Sequence, residues 1–493
     1  MKTRLNKFSS LLLLLAGTLL VGFSAGRWLF PLAAWIGPVL IMRYARDHKG
    51  WRGYPLVIVA YTLAFLIGFG TDWASTWGLV FMSTLSIFYG LLWSLPYLAD
   101  RLAGARLTGF ARTLVYPLAA TTLEFVNIHT NPVGDWGATG FTQYGNLALM
   151  QLASVTGMIG ITFLMGWFAS VANWAWENRA QGGSLLRGLA TFGAVLAAVY
   201  GFGFLRLNAA PSGETVRVAG IIAQSQSEAS KVIDATSDLA VIRQVAVARW
   251  ETYFAATVRE AQAGAQVVVW DEAVGLSGTK FGADEAELIA RAQEVARQNE
   301  IYLALTVLVA DTDPGRKWEN KLLLIDPAGA VRFEHIKYGG NIMEGTLLGD
   351  GKLQTVAAPF GVLSGVICWD ADYPAVIRQA GQNGTGLMLI PSRDRIEIDP
   401  LHSQMAVFRA IENGMSIVRQ TDLGLSIAVD PYGRVLAQTD FFGSTDRTMV
   451  AQVPTQHVAT IYTAFGRWFE WVCLIGFIIV VARALFARRV EQV

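Results

Sequence analysis

Phe360-Gly-Val-Leu-Ser-Gly-Val-Ile-Cys368-Trp369-Asp370 runs from an apolar segment straight into a polar turn, and its cysteine is one of only two in 493 residues. A buried strand that stops on a thiol puts a small nucleophile where a sheet meets a loop, a good place for attack on a carbonyl. A lone cysteine is more often interior filler, so its reading depends on what else ends beside it. Two further segments have the same form: Ala265-Gln-Val-Val-Val-Trp-Asp-Glu272 and Val331-Arg-Phe-Glu-His-Ile-Lys337. Strand ends of one α/β sheet converge on one cleft, so a carboxylate, an ammonium and a thiol can meet although 65 and 31 residues separate them in sequence.

Each type has a task there. A free thiol is only a few per cent ionised at neutral pH, so Glu272 would serve as the base that takes its proton. Lys337 would stabilise the oxyanion, and a low-dielectric pocket makes that charge worth far more than in water. Taken singly, Glu272 and Lys337 read more readily as surface charges at strand ends than as catalytic groups.

The order Glu272, Lys337, Cys368 resembles the nitrilase, or carbon-nitrogen hydrolase, superfamily, whose triad sits on an αββα sandwich. The stretch Trp318-Glu-Asn320-Lys-Leu-Leu-Leu-Ile-Asp-Pro-Ala-Gly329 is similar to that family's Asn-containing strand and turn. His402 to Arg419, running on to Asp430-Pro-Tyr-Gly-Arg-Val-Leu-Ala437, is similar to its helix, strand and hairpin. The likeness spans roughly residues 215–455.

Composition places this domain at a membrane. A chain with 53% hydrophobic residues and 16 tryptophans, at a mean hydropathy of +0.39, is too apolar for an ordinary soluble protein. Apolar stretches near 8–25, 28–43, 54–70, 75–98, 112–128, 146–175, 188–206 and 466–487 predict eight spans, the first a retained helix rather than a cleaved signal. Basic clusters fall on alternate connections: Arg43, Arg46, Lys49 and Arg52; then Arg101, Arg106 and Arg112; then Arg179 and Arg187. That alternation predicts cytoplasmic termini and an outward-facing soluble domain. The expected organisation is a helical domain over 1–207, a catalytic domain over 208–462, and a final helix with a basic tail over 463–493.

Seven spans, a nitrilase-like domain and a last span resemble the apolipoprotein N-acyltransferase family over the whole chain. Gly134-Asp-Trp-Gly-Ala-Thr-Gly-Phe-Thr-Gln-Tyr144 and Gln151 to Leu164 are similar to its fifth and sixth helices and their loop. The resemblance implies that Cys368 takes a fatty acyl chain from a phospholipid as a thioester and passes it to the N-terminal amine of diacylglyceryl-cysteine in a lipoprotein. It implies a bacterial inner-membrane location, the bilayer as a partner, and Glu344, Trp369, Asp370 and Asn320 as supporting or substrate-binding residues. Three stretches depart from the pattern: Tyr338-Gly-Gly-Asn-Ile-Met-Glu344 replaces the usual Pro-Phe-Gly-Glu, Cys368-Trp369-Asp370 replaces Cys-Tyr-Glu, and Ser392-Arg-Asp-Arg395 brings two arginines that meet lipid phosphate or face water.

Other chemistry is thinly represented. A membrane-tethered amidase or nitrile hydrolase, resolving the thioester with water, shares the triad; a receptor with a dead site would not be expected to keep all three residues. The five histidines have no metal-ligand spacing, although His402 offers itself as an alternative base for Cys368. No nucleotide fingerprint stands in a strand-to-helix context, and a net charge of +1 gives no case for nucleic acid. No cofactor and no metal are expected. Glu124 falls inside a predicted span, where a charge is costly, and marks an internal cavity or a bundle contact. The aromatic and glycine-rich loop after it reads as a lipid entry wall or an interfacial belt.

Overall fold

A computed structural model describes residues 7–48, 53–70, 78–180, 182–208 and 214–486. The chain divides into two compact units. One comprises Met1–Thr130, Gly137–Ala209 and Phe465–Val493; the other comprises Asn131–Trp136 and Ala210–Ala464.

The first unit is helical: Lys7–Ser24, Pro31–Asp47, Tyr54–Phe65 continuing through a π turn at Leu66–Gly70, Leu79–Leu102, Val115–Thr130, Ile159–Glu177, Gly182–Asn208 and Trp468–Phe486. Among the described residues, four helices are long and apolar enough to cross a bilayer: Lys7–Ser24, Leu79–Arg106, Gly182–Asn208 and Trp468–Phe486. The expectation of eight spans is therefore not reached on length and composition. Pro31–Asp47 has 17 residues and spends its last turns on Arg43, Arg46 and Asp47, and Val115–Thr130 has 16 and carries Glu124. The stretch expected as one span over 146–175 is broken: Leu147–Thr156 and Ile159–Glu177 meet at 116°, a fifth span if the pair is one. The break falls at Gly157, whose φ of +69° ends the first segment.

Close helix approach in lipid requires small residues. A Cβ on Gly17 would lie 2.7 Å from Ile41 Cγ1 and 3.0 Å from the Gly37 carbonyl, so this glycine sets the spacing of the first two helices. Glu124 is a bundle contact: its Oε1 accepts from Thr139 N at 2.8 Å and its Oε2 from Thr162 Oγ1 at 2.8 Å. Glu124→Ala leaves the buried Thr162 hydroxyl and the part-buried Thr139 amide without their partner, an expected loss of about 1–3 kcal/mol. Glu124→Gln, which can still accept at one oxygen, is expected to lose less, and thermal unfolding of the two variants in detergent would check the order.

The second unit is a four-layer sandwich. Its first sheet runs in the order β13-β1-β2-β4-β5-β6, with β3 on β4: β1 Thr215–Ile221, β2 Val267–Trp270, β3 Gly275–Ser277, β4 Tyr302–Val309, β5 Glu319–Ile325, β6 Val331–Ile336 and β13 Met449–Pro454. The second runs β12-β11-β10-β9-β8-β7: β7 Thr355–Ala358, β8 Gly361–Gly365, β9 Leu387–Arg393, β10 Ser416–Asp422, β11 Leu425–Val429 and β12 Val435–Asp440. β1, β2 and β4 are parallel, as are β8, β9 and β10. Parallel strands covered on both faces read as unbroken apolar runs, and Val267-Val-Val-Trp270 is buried throughout.

Helices Leu239–Gln262 and Glu285–Gln298 cover the first sheet, where Trp250, Tyr253 and Phe254 pack with Trp270, Leu303 and Leu305. Each such side chain contributes about 1.5–3 kcal/mol on burial. The second of these helices starts where Asp284 accepts from Ala286 N and Glu287 N. Pro374–Gln382 and Leu401–Asn413 belong to the second sheet's side. Between the sheets a Cβ on Gly220 of β1 would strike the Gln420 side chain of β10, so this glycine admits a buried amide across the interface.

Candidate active site

Three strand ends deliver the three expected residues. Glu272 lies two residues past β2, Lys337 directly follows β6, and Cys368 comes three residues after β8. β5 pairs with β6, and the Lys337 amide bonds the Asn320 carbonyl at 2.9 Å. Asn320 Nδ2 donates to Glu272 Oε1 at 2.7 Å, and Lys337 Nζ donates to the same oxygen at 2.6 Å. Glu272 Oε2 accepts from Arg393 N at 2.9 Å. Lys337 Nζ donates also to Glu344 Oε1 at 2.6 Å, from the short helix Asn341–Glu344 between two left-handed glycines.

Cys368 is fully buried, with φ at +47°. A non-glycine residue in this region is strained. The strain aims the thiol across the end of the second sheet, where Sγ is 3.6 Å from the Arg393 carbonyl and 3.9 Å from Asp394 Oδ1. Arg419, from β10, brings Nη2 to 3.9 Å from Sγ and donates through Nη1 to the Cys368 carbonyl at 3.3 Å. No hydrogen bond links Sγ to Glu272 or Lys337 among the described residues; their influence on it is through charge.

Burial, reinforced by Glu272, pushes the Cys368 thiol well above its ordinary value, against the pull of Lys337 and Arg419. The resting group is thus a neutral thiol. Burial opposes the charge on Lys337, but Glu272 and Glu344 outweigh it and hold the ammonium well above the usual lysine range. Burial raises Glu344 against the opposing effect of Lys337.

Beside the thiol lies a chain of buried charges. Asp394 Oδ1 takes Arg419 Nη2 at 2.9 Å and His402 Nδ1 at 2.7 Å, while His402 Nε2 meets Asp372 Oδ2 at 2.9 Å. Despite burial, Arg419 and His402 hold Asp394 below the usual carboxylate range. Burial and Arg419 push His402 down, yet Asp372 and Asp394 carry it above its ordinary value. Both His402 nitrogens lie against carboxylates, and Nδ1 lies also 3.0 Å from Arg419 Nη2, so the ring is engaged in this network and makes no hydrogen bond to Cys368 Sγ among the described residues. Cys368, Asp394 and His402 offer ligand atoms within 4.8 Å of one another. The Arg419 guanidinium occupies the place of a cation there, and both His402 nitrogens are spent, so this donor set fits a metal ion poorly.

The supporting residues divide. Trp369 stacks on Trp136, centroids 5.7 Å apart at 28°, and meets the His402 ring edge-on. Asp370 turns to the backbone, accepting from Tyr338 N, Gly339 N and Ile367 N at 2.6–3.0 Å and meeting His335 Nε2 at 2.7 Å. It fastens the loop after Lys337 to the turn after Cys368. The Arg393 side chain is directed to Asp422, 3.7 Å away.

Sequence reasoning missed four residues. Arg419 and Asp394 flank the thiol, and Asp372 holds His402. Trp136, from the loop Asn131–Trp136 of the α/β unit, donates Nε1 to Asp372 Oδ2 at 2.7 Å. Asp135 of the same loop pairs with buried Arg409 at 3.0 Å. For Arg419 the signal was available: an arginine inside the apolar strand Ser416-Ile-Val-Arg419 is buried only if something anionic awaits it. Arg419→Met should remove one of the two cations that pull the thiol's pKa down and raise it further. Alkylation of Cys368 by iodoacetamide at pH 8, followed by peptide mass spectrometry, is expected to slow about tenfold for each unit of that rise.

A carboxylate, an ammonium and a thiol on a sheet pair of this topology define a carbon-nitrogen hydrolase domain, and residues 222–462 match that family's model. Residues 16–171 match the apolipoprotein N-acyltransferase N-terminal domain. The two matches lie in the same chain, an N-terminal domain of the apolipoprotein N-acyltransferase type followed by a carbon-nitrogen hydrolase domain. The chain is 24% identical to the apolipoprotein N-acyltransferase of Geobacter metallireducens, over 98% of this chain and 96% of that one. It is 26% identical to that of Rhodopseudomonas palustris, over 88% and 83%. Among solved structures, an amidase from Nesterenkonia sp. aligns with 50% of this chain and 93% of its own at 18% identity and a TM-score of 0.38.

Proposed function

We propose that this protein moves a fatty acyl chain from a phospholipid, through a thioester on Cys368, to the α-amine of diacylglyceryl-cysteine at the N-terminus of a lipoprotein. The N-terminal domain match and the similarity over nearly the whole chain to proteins named apolipoprotein N-acyltransferase support the reaction. The observation that carries the residue roles is the enclosed pair Lys337–Glu272 on the strand ends that bring up Cys368.

In the first stage the thiol sulfur attacks the ester carbonyl carbon of the phospholipid and Glu272 takes the thiol proton. Lys337 has three N–H donors, two of them held by Glu272 and Glu344, which leaves the third for the oxyanion. The oxyanion collapses, the C–O bond breaks, and Glu272 returns the proton to the leaving lysophospholipid oxygen. In the second stage the lipoprotein amine attacks the thioester carbonyl, Glu272 accepts its proton, and the C–S bond breaks as Glu272 passes that proton to the sulfur, which restores the thiol and the carboxylate. The base is needed because the resting sulfur is protonated. Glu344 positions Lys337, Asn320 positions Glu272, Asp370 ties the two loops, and Trp369 lines the thiol's surroundings. No cofactor and no metal enter the scheme.

Eight crossings, with both termini cytoplasmic and the domain of residues 208–462 on the outer face of the bacterial inner membrane before the last helix at 463–493, are the topology proposed for this chain. The alternating arginine clusters support it, as do helices over each expected stretch, the one over 146–175 being broken at Gly157. Intact-mass measurement of the full chain with phospholipid, then with a diacylated lipopeptide, tests the reaction. One acyl chain gained and discharged onto the lipopeptide amine is the expected result. A gain lost equally fast without lipopeptide would make the protein a hydrolase.

A further inference from the structure

The helical unit contains a cavity of about 570 Å³, built from the turns after Leu79–Leu102 and the facing ends of Ile159–Glu177 and Gly182–Asn208. Its walls mix Arg112, Arg187, Ser184 and Asn178 with Trp174 and Phe110. It includes none of the residues assigned to catalysis.

The charges around it do not cancel. Asp47 pairs with Arg43, and Asp100 with Arg46 at 2.8 Å. Glu177 is shared by Arg112 at 3.1 Å, Arg43 at 3.5 Å and Arg46 at 3.7 Å. These three arginines meet three carboxylates, so the network is balanced without Arg187, for which no carboxylate partner exists among the described residues. Arg187 spends Nε on the Gly183 carbonyl at 3.2 Å. Arg112 uses Nη1 on Glu177, while its buried Nε has no hydrogen-bond partner. An orphaned guanidinium N–H and an uncompensated arginine therefore line one cavity, with a hydroxyl and an indole beside them.

We propose that this cavity binds a phosphate ester, the anionic headgroup of a membrane phospholipid. Two guanidinium groups suit phosphate oxygens, and basic pockets between membrane helices are known to receive anionic headgroups. Trp174 and Phe110 provide apolar surface for the glycerol and first methylenes, and the volume lies within the range of small-ligand sites. The uncompensated charge selects an anionic lipid over a zwitterionic one.

Native mass spectrometry of the full chain in detergent, titrated separately with phosphatidylglycerol, phosphatidylethanolamine and inorganic phosphate, tests this. The expected result is one phosphatidylglycerol bound in preference to phosphatidylethanolamine, weakened about tenfold or more in Arg187→Gln and again in Arg112→Gln. Because Arg112 also holds Glu177, Arg187→Gln, on the exposed face of the helix Gly182–Asn208, is the decisive variant. Equal phosphatidylglycerol binding by the parent and Arg187→Gln would overturn the site, as would equal binding of the two lipids. Saturation by inorganic phosphate at the same concentrations, in an Arg187-dependent manner, would assign the cavity to free phosphate and overturn the lipid assignment.

Discussion

Cys368→Ala is expected to give no acyl adduct with any phospholipid and no transfer to a lipopeptide, a loss on the order of 10⁶-fold, the scale seen when a catalytic nucleophile is removed. No neighbour can replace it. His402 is held at both nitrogens by carboxylates, and Lys337 is fixed as an ammonium between Glu272 and Glu344. Quantitative mass spectrometry of lipopeptide and enzyme in the same reaction reads both stages. Transfer retained above a few per cent would remove Cys368 from the mechanism. A companion variant separates chemistry from stability. Alanine keeps the Cβ that makes φ of +47° unfavourable, whereas glycine accepts that backbone freely. Cys368→Gly should therefore be as inactive as Cys368→Ala yet melt higher. The margin is about 1 kcal/mol or more for relief of the left-handed strain. Sequence selection for stability alone would have placed glycine there.

Lys337→Met is the second large effect, and it acts twice. Removing the ammonium deprives the oxyanion of its donor, on the order of 10²–10³-fold. It also leaves Glu272 and Glu344 enclosed without their shared cation. One of them must then bind a proton, and a protonated Glu272 cannot take one from the thiol, which adds a further loss of about 10²-fold or more. Breaking a buried pair by removing one partner costs about 3–5 kcal/mol, so the melting temperature should fall as well. The double variant Lys337→Met with Glu344→Gln removes one of the stranded carboxylates and should recover much of the stability but none of the activity. Recovery of activity together with stability would show that Lys337 is structural. The folded pKa of Lys337 lies above its ordinary value. The pair's stabilisation is thus fully present below that ordinary value and is lost only as pH rises through the folded one. Lys337→Met, whose stranded carboxylate binds a proton that its unfolded chain releases, should instead fall further below the parent in stability as pH rises above the ordinary glutamate range.

How much of this was legible in the sequence depends on the kind of signal. Glu272, Lys337 and Cys368 each end an apolar run, and parallel strands announce themselves that way. The two-sheet sandwich was readable from β2 and β8 for the same reason. The membrane helices were readable as places and less so as lengths. Hydropathy counts apolar residues but does not say where Gly157 turns the chain, nor that Arg43 and Arg46 would be drawn into ion pairs that shorten the apolar part of their helix. The Asp394, His402 and Arg419 group was illegible as a group, because its members come from a loop, a helix and a strand and meet only in three dimensions. Asp370 shows the opposite limit. Its position beside the nucleophile in sequence suggested a role at the thiol, yet its oxygens are taken by the amides of Tyr338, Gly339 and Ile367.

The placement of Asn131–Trp136 in the α/β unit bears on modularity. These six residues are encoded more than seventy positions before Ala210, but they complete a network that the later residues cannot close alone. A truncated protein starting at Ala210 would keep Glu272, Lys337 and Cys368 while losing the Asp135 carboxylate that faces Arg409 and the Trp136 indole that caps Asp372. Such a fragment would be an unsound stand-in for the enzyme in screening. Gene fusions that exchange one half between relatives would have to carry this loop along with the hydrolase half to which it is bonded, rather than with the neighbours it has in the reading frame.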